Sequence, residues 1–528
     1  MVLFVIMLSA CRPTGDDLTS YGQKDFHAFA DANVSLAGEF RSFWMAMNEN
    51  YGIWDYEAEN GLDWDEVYAT YLPKFEALDS AKSQQKTLVS DAELYDLYCQ
   101  FLDSLHDGHI AIQIMNLHTG RYFMISPSTS RNMRERPEAY NNEKANVTDL
   151  DTYCNLPVTD LHCALEYDAT DSRLIVAEVV DSTCARLIRA AEAYVADVDN
   201  AGGPNQFNDS IYAAMKQLIS DAAQVQLSAK GPLDSNNAVK AVASAYNSLC
   251  STYSLLAIQL NVPTPNIGSD LAGDGLKFIR YALFNGNIAY LRFGGFYLTS
   301  YLSSAAPADT TSLSYAYNRA VNRVWDKWFN AIQTLHAHDN LGGVIIDVRN
   351  NGGGMMSDYQ YVLGALMPSG GYESHTLRYK DGIGRLDFSP LVPFRFSTYA
   401  GEHEVVEDEP IVILVNTHSI SMAELTTWGV KSRPNGYVVG TRTWGGLSGL
   451  NDNPATYSTS YSGGFGEYNV TPFYGYVPRF VSLFGDDLKI LEGVGIEPDL
   501  EKQLDVNLWQ TQKRDNQLEA AIDYVHSK

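Results

Sequence analysis

A serine that opens a helix has the residue type and position for acyl-transfer chemistry. Ser421 follows the apolar run 409–416 and precedes Met422-Ala423-Glu424, where a helical pattern begins. A serine at a sharp strand-to-helix turn can act as a nucleophile. The helix N-terminus favours developing negative charge, and the backbone N–H after the serine can donate to an oxyanion. Serine is also a preferred N-cap, so its position equally fits a structural role.

Three consecutive glycines follow a second apolar run. Gly352, Gly353 and Gly354 come shortly after residues 343–348, which are uncharged up to Asp347 and have the β-branched composition of a buried strand. Backbone that approaches a ligand closely, with its N–H groups turned outward, requires glycine. The glycines therefore fit an oxyanion hole or anion cradle, and a tight strand-to-helix turn fits them equally well.

A histidine that could serve as a general base lies far upstream. His109 follows His106-Asp107-Gly108, where a helical pattern gives way to an alternating strand pattern at 110–114. A neutral imidazole near pH 7 can take the proton of a serine hydroxyl. A single histidine in this position is also compatible with a surface or core role.

The elements that position these residues have an α/β texture. A long helix at 312–335 connects two predicted strands, and this order forms a right-handed crossover in a mainly parallel sheet. Helical periodicity from residue 25 to about 105 predicts an N-terminal helical bundle, with the aromatics between Phe40 and Tyr71 in its core. The predicted strands of the sheet are 287–293, 343–348, 409–416 and 437–440.

A chain of 528 residues is too long for one hydrophobic core. We predict a multidomain α/β protein with a signal and tether, an N-terminal helical domain, a middle module and a catalytic domain that ends in a helix. Within the middle module, residues 174–187 are expected to form a strand and the start of a helix. The predicted boundaries of the four parts are 1–24, 25–115, 116–275 and 276–528.

Composition excludes some functions. A formal net charge of −27 argues against nucleic-acid binding, which requires a basic surface. The six cysteines show no Cys-x-x-Cys spacing of the kind that binds a metal ion. We predict no metal site and no cofactor. Cys154 and Cys163 could close a small loop in an oxidising compartment.

The N-terminus resembles a bacterial lipoprotein signal. An apolar stretch too short to span a bilayer ends in Leu8-Ser9-Ala10-Cys11, which is similar to a lipobox, although the usual basic segment is missing. The resemblance implies lipidation of Cys11 and anchoring in the bacterial cell envelope, on the periplasmic side or the outer surface. A buried N-terminal strand is the alternative.

Five motifs in order resemble the family of C-terminal-processing (tail-specific) and tricorn-core serine peptidases. The resemblance covers roughly residues 25–115 and 276–526 but not the middle module. The matching residues, motif by motif, are Asp107, Gly108 and His109; Asp347, Arg349, Asn351, Gly353 and Gly354; Ser421, Ala423 and Glu424; Gly440, Thr443 and Gly445; and Gly495, Glu497, Pro498 and Asp499.

The resemblance implies a catalytic domain similar to the crotonase and Clp-protease fold, with Ser421 as nucleophile. It also implies an oxyanion hole formed by the N–H of Met422 and the N–H of Gly353 or Gly354. Tail-specific members use a lysine where this chain has Gly446. Tricorn-like members use a histidine and a glutamate, whose places are taken by His109 and Glu492. The chain is thus expected to belong to the tricorn-like subgroup.

Several alternatives stay open. The base could be another histidine or a lysine, and Glu497 or Asp499 could replace Glu492 as the orienting carboxylate. Many family members carry a PDZ domain where this chain has its middle module, which could be a degenerate version. The leading interpretation is a serine endopeptidase acting on peptides or unfolded protein tails, and the alternative is an inactive peptidase-fold lipoprotein that binds peptide, lipid or glycan. The rival bases are His106, His418, Lys431 and Lys489.

Overall fold

A computed structural model gives the architecture of most of the chain. Cys11, Cys154 and Cys163 lie outside the residues that it describes. Within the described part, no helix is both long and apolar enough to cross a membrane. The described residues are 32–85, 88–143, 166–169, 172–233, 236–267, 279–302, 312–367, 371–382, 384–396, 398–399, 403, 406–449, 464–465, 472–478 and 480–528.

The chain forms two compact units, each discontinuous in sequence. Unit 1 comprises residues 1–141, 373–395 and 444–496, and unit 2 comprises the rest, 142–372, 396–443 and 497–528. Two segments of the predicted catalytic domain, 373–395 and 444–496, therefore cluster with the N-terminal helices.

Unit 1 begins with helices that pack through aromatic side chains. The predicted aromatic core is confirmed, since the rings from Phe40 to Tyr71 belong to one cluster. Asp63 caps the third helix, because its side chain accepts the N–H bonds of Asp65 and Glu66 at 2.9 and 3.1 Å. The helices are α1 (Leu36–Asn50), α2 (Trp54–Glu59), α3 (Trp64–Gln85), α4 (Asp91–Leu102), α5 (Pro127–Glu135) and α6 (Pro137–Asn142).

The strands form three sheets. Unit 1 holds an antiparallel sheet of order β11-β12-β1-β2 and a sheet of order β13-β7-β8, and unit 2 holds the large sheet. In chain order the strands are β1 (Ala111–Asn116), β2 (Arg121–Ile125), β3 (Glu166–Ala169), β4 (Ile279–Phe284), β5 (Ile288–Phe293), β6 (Gly343–Asp347), β7 (Tyr372–Tyr379), β8 (Val392–Phe396), β9 (Ile411–Val415), β10 (Gly436–Gly440), β11 (Gly464–Phe465), β12 (Phe473–Tyr476), β13 (Phe480–Leu483) and β14 (Leu500–Glu501).

The large sheet of unit 2 is mainly parallel, as the alternation of strands and helices predicts. Its order is β14-β10-β9-β6-β5-β4-β3, and the pairs from β5 to β14 are parallel. The strands β6 and β9 lie side by side, with Val344 opposite Ile411. Because parallel strands end at the same edge, the glycine triplet after β6 and Ser421 after β9 leave the sheet from that edge.

The helices of unit 2 correct one expectation. Residues 174–187 lie entirely within one helix, so the strand predicted there is wrong. Their β-branched residues follow a helical stripe and not a strand alternation, because the buried positions are Ile175, Val176, Val179, Val180, Cys184 and Leu187. The helices are α7 (Ser172–Asn200), α8 (Asp209–Ala229), α9 (Asn236–Thr252), α10 (Ser254–Gln259), α11 (Thr299–Leu302), α12 (Leu313–His336), α13 (Tyr359–Val362), α14 (Met422–Lys431), α15 (Val506–Gln512) and α16 (Asn516–His526).

A buried charge network holds the end of β6 against the last helix. Arg349 contacts Asp347 and Asp515 through the same terminal nitrogen, each at 2.7 Å, and Asp515 caps α16. Arg292 adds a second contact to Asp347 at 2.9 Å. Burial opposes ionisation of Asp347, but the two arginines overcome it and lower the pKa of Asp347 well below its ordinary value. The Asp and Arg of the Asp-x-Arg motif are therefore structural.

Candidate active site

Ser421 stands at the N-cap of α14, where it forms a capping box with Glu424, but its backbone is strained. Its backbone has φ 61° and ψ −118°, a conformation that a non-glycine residue rarely adopts. Three other serines in the chain cap helices in the usual way. Ser35, Ser90 and Ser312 are all extended, and each accepts a side-chain bond from a helix N–H. This difference favours a functional role for Ser421.

Glu424 holds the elbow in place from inside the helix. One of its carboxylate oxygens accepts the Ser421 N–H at 3.1 Å, and the other accepts the hydroxyl of Thr443 at 2.6 Å. Both Glu424 and Thr443 are fully buried. Neither residue was assigned a role from the sequence, although both stand at motif positions.

The glycine loop lies directly against Ser421. A Cβ added to Gly353 would stand 2.6 Å from Ser421 Cβ and 2.9 Å from the nitrogen of Met422. Gly353 also has φ +87°, where side chains are strained. Unit 2 therefore brings together three of the predicted site residues, Gly353, Ser421 and Met422.

The two glycines of the predicted oxyanion hole differ in how their N–H groups are used. The Gly353 N–H donates to Asn351 Oδ1 at 2.9 Å. The N–H groups of Gly354 and Met422 donate to no residue in the described ranges. Among the described residues, the Gly353 N–H is therefore already used, whereas the N–H groups of Gly354 and Met422 stay available to an oxyanion.

Asn351 ties the glycine loop to its surroundings. Its side-chain amide donates to Phe293 at the end of β5, and its backbone oxygen accepts the Ile420 N–H at 3.0 Å. With the bond from Gly353, this one residue connects the loop to β5 and to the residue before Ser421. The asparagine of the motif is thus a positioning residue, a role that the sequence alone did not give.

In unit 1, the Asp107-Gly108-His109 turn packs against the turn that contains Gly445. A Cβ on Gly108 would lie 2.2 Å from the oxygen of Gly445, so only glycine fits there. Glu492 accepts the Gly108 N–H at 2.9 Å and also accepts the N–H groups of Leu447 and Ser448. Glu492 thus fixes the turn that carries His109.

Asp107, His109 and Glu492 converge within unit 1. One oxygen of each carboxylate and one ring nitrogen of His109 all lie within 4.8 Å of one another. Burial lowers the pKa of His109 to about 4, so its imidazole is neutral at pH 7. Burial also raises the pKa of Asp107, with a further contribution from the charge of Glu492, and burial raises the pKa of Glu492.

The rival candidates have other partners. His106 Nδ1 contacts Glu57 at 2.7 Å, and Lys489 is 67% exposed beside Asp487. The backbone N–H of His418 donates to Asn416 Oδ1 at 3.1 Å, a bond that does not involve its ring.

The remaining rivals lie in unit 2, away from the elbow. Lys431 pairs with Asp499 and ends α14, about 14 Å along the helix from Met422. Glu497 is an exposed partner of Arg442. Unit 2 therefore holds Ser421 with the glycine loop, and unit 1 holds His109 with Glu492.

Comparison with known proteins supports the predicted family. Residues 287–474 match the model of peptidase family S41, a segment that contains Ser421 and the glycine triplet. No curated protein matched this sequence. The match over this segment agrees with the predicted family and with the predicted class, a serine-type peptidase.

Solved structures show distant likeness. A protein from Parabacteroides merdae ATCC 43184 is 16% identical, with 93% of this chain and 96% of that chain covered and a TM-score of 0.49. Mature CPAF complexed with lactacystin is 10% identical, with coverage of 94% and 99% and a TM-score of 0.44. The tricorn protease is 19% identical, with coverage of 46% and 18% and a TM-score of 0.26.

Proposed function

We propose that this chain is a serine endopeptidase of family S41 that cleaves peptides or unfolded protein tails through an acyl-enzyme, with Ser421 as nucleophile. The observation that carries the proposal is the positive-φ elbow of Ser421 with the glycine loop beside the Met422 N–H. A structural cap needs neither the strained backbone nor the adjacent glycines. This combination suits a serine that attacks a carbonyl next to an oxyanion hole.

The reaction follows from the chemistry of these groups. The Ser421 hydroxyl attacks the scissile carbonyl carbon as His109 takes its proton, and the N–H groups of Met422 and Gly354 stabilise the oxyanion. The tetrahedral intermediate collapses as the imidazolium gives its proton to the leaving amine. Water then attacks the acyl-enzyme, again with His109 as base, and Ser421 is regenerated.

His109 is the base that the chemistry of the turn favours. Its imidazole is neutral at pH 7, because burial lowers its pKa, and it can therefore accept a proton. Glu492 is the proposed orienting carboxylate, and it acts through the Gly108 N–H as well as through its position near the ring. Asp107 is equally close to the ring and supplies a second carboxylate.

A fluorophosphonate probe tests the nucleophile without knowledge of the substrate. We expect the wild-type chain to be labelled and Ser421→Ala to remain unlabelled. Ser432→Ala is the matched control, because this serine lies at the other end of α14, where its hydroxyl donates to Trp428, and labelling should persist. Labelling that survives in Ser421→Ala would refute the assignment.

Gly353→Ala should slow labelling roughly 10²- to 10³-fold, about the effect of losing an oxyanion donor. The added methyl group would collide with Ser421 and stand in front of the Met422 N–H. Gly352→Ala is the control, since a Cβ there meets nothing within 4 Å. Equal labelling rates in the two variants would show that the space beside Ser421 is not used. The labelling rates are measured at a fixed probe concentration by quenching the reaction at successive times.

The alternative function, a catalytically inactive protein that binds peptide, lipid or glycan, predicts no labelling of the folded wild-type chain. The lipid anchor at Cys11 and the location in the cell envelope are further proposals that rest on the Leu8–Cys11 resemblance. Metabolic incorporation of palmitate that is independent of Cys11, tested with Cys11→Ser, would overturn the anchor.

A further inference from the structure

The cluster of Asp107, His109 and Glu492 contains two buried carboxylates at close range. Asp107 is 0% exposed and Glu492 is 1% exposed, and one oxygen of each lies within 4.8 Å of the other and of a ring nitrogen of His109. Two carboxylates in such a place repel each other and are costly to desolvate. A cationic partner would offset these costs, as a proton on Asp107 would also do.

The side chains around the cluster do not supply that partner. Arg131 packs at the same turn, but its guanidinium donates to the main-chain oxygens of Leu105 and His106, with a longer contact to that of Asp107. Asp107 Oδ2 and His109 Nδ1 are buried and have no hydrogen-bond partner among the described residues. Buried polar atoms are usually paired, and these two atoms, in one cluster, leave two coordinating positions available to a ligand.

We propose that Asp107, His109 and Glu492 form a binding site for one divalent transition-metal ion, for which Zn²⁺ is the best match. One imidazole nitrogen and two carboxylate oxygens suit Zn²⁺, whereas Mg²⁺ and Ca²⁺ prefer oxygen ligands alone. Three protein ligands also leave the fourth position of a tetrahedral zinc site open. The sequence analysis grouped His109 and Glu492 only as catalytic residues implied by the family resemblance, and it predicted no metal site.

The ligands are held in advance by backbone donors. Asp107 Oδ1 accepts the N–H groups of His109 and Ile110, and Glu492 accepts three N–H groups, including that of Gly108. Such outer contacts orient metal ligands and strengthen binding. Ligand atoms around tetrahedral zinc lie roughly 3.3 Å apart, so only small side-chain movements are needed to close the site around the ion.

Metal binding and the proposed function are separable. Binding requires only unit 1 and is independent of Ser421. If His109 is the catalytic base, the bound ion will occupy its ring and inhibit the enzyme. Saturable binding without inhibition would therefore support the metal site and refute His109 as base.

The test is calorimetric titration of the chelator-treated full-length chain with Zn²⁺. We expect one ion per chain in the wild type and in Ser421→Ala, and at least roughly tenfold weaker binding in Asp107→Asn. Asp103→Asn is the matched control, because this half-buried aspartate lies four residues earlier and outside the cluster. It should bind as the wild type does.

A second measurement guards against misfolding of Asp107→Asn. Co²⁺ added to the wild type should give the visible absorption of a low-coordinate site, and Glu492→Gln and His109→Ala should each change or abolish it. Circular dichroism checks that each variant is folded. Absence of saturable Zn²⁺ binding, or equal affinity in wild type and folded Asp107→Asn, would overturn the proposal.

Discussion

Replacing His109 by alanine is expected to lower kcat/KM for peptide hydrolysis by roughly 10⁴- to 10⁶-fold, the loss seen when a serine peptidase loses its general base. The Ser421 hydroxyl is a weak nucleophile until a base takes its proton. Casein cleavage and the fluorophosphonate labelling rate both report the effect. The elbow and glycine loop lie in unit 2 and are formed by its own residues, so they should survive the change.

His106→Ala is the matched control for this prediction. It removes a histidine from the same turn, but His106 is already paired with Glu57 and is expected to matter less than about tenfold. A loss of less than about tenfold in His109→Ala would refute the base assignment and return the role to His418 or a lysine. Lys431 would then be the weaker choice, because it pairs with Asp499 at the far end of α14.

Replacing Arg349 by methionine is expected to cost about 3–5 kcal/mol of unfolding free energy, the usual effect of removing one partner from a buried ion pair. Arg349 is 2% exposed and joins Asp347 to Asp515. Methionine fills part of the volume but leaves the two carboxylates without their shared cation. Urea unfolding followed by tryptophan fluorescence measures the difference.

Arg319→Met provides the comparison for a surface pair. Arg319 is 57% exposed and contacts Glu178, so its loss should cost less than about 1 kcal/mol. Burial raises the pKa of Asp515, but Arg349 overcomes this effect and lowers it. The stability that this pair contributes is lost as the pH falls and Asp515 becomes protonated, so acidification should reduce the difference in unfolding free energy between wild type and Arg349→Met. A cost of under about 1 kcal/mol for Arg349→Met would show that the network is not a stabilising element.

The sequence predicted much of the fold because its signals are local. The uncharged run that becomes β6 and the apolar stripe of α12 each determine an element without help from distant residues. The glycine triplet and Ser421 were recognisable for the same reason, since each follows directly on a buried strand. The strand prediction for residues 174–187 was wrong because a short β-branched run fits a strand as well as it fits the buried face of a helix.

By itself, then, the sequence determined the mainly parallel α/β sheet, the resemblance to a peptidase family whose model matches residues 287–474, and the residue types of the candidate site. Only the tertiary structure decided which groups share an environment. It placed Asp107 in one cluster with His109 and Glu492, which the family resemblance had already paired, and it showed that Asn351 Oδ1 accepts the Gly353 N–H. It also gave Ser421 a backbone unlike that of the chain's ordinary serine caps. The physical reason is that burial, hydrogen bonding and charge depend on distances in space, and residues far apart in the chain set those distances.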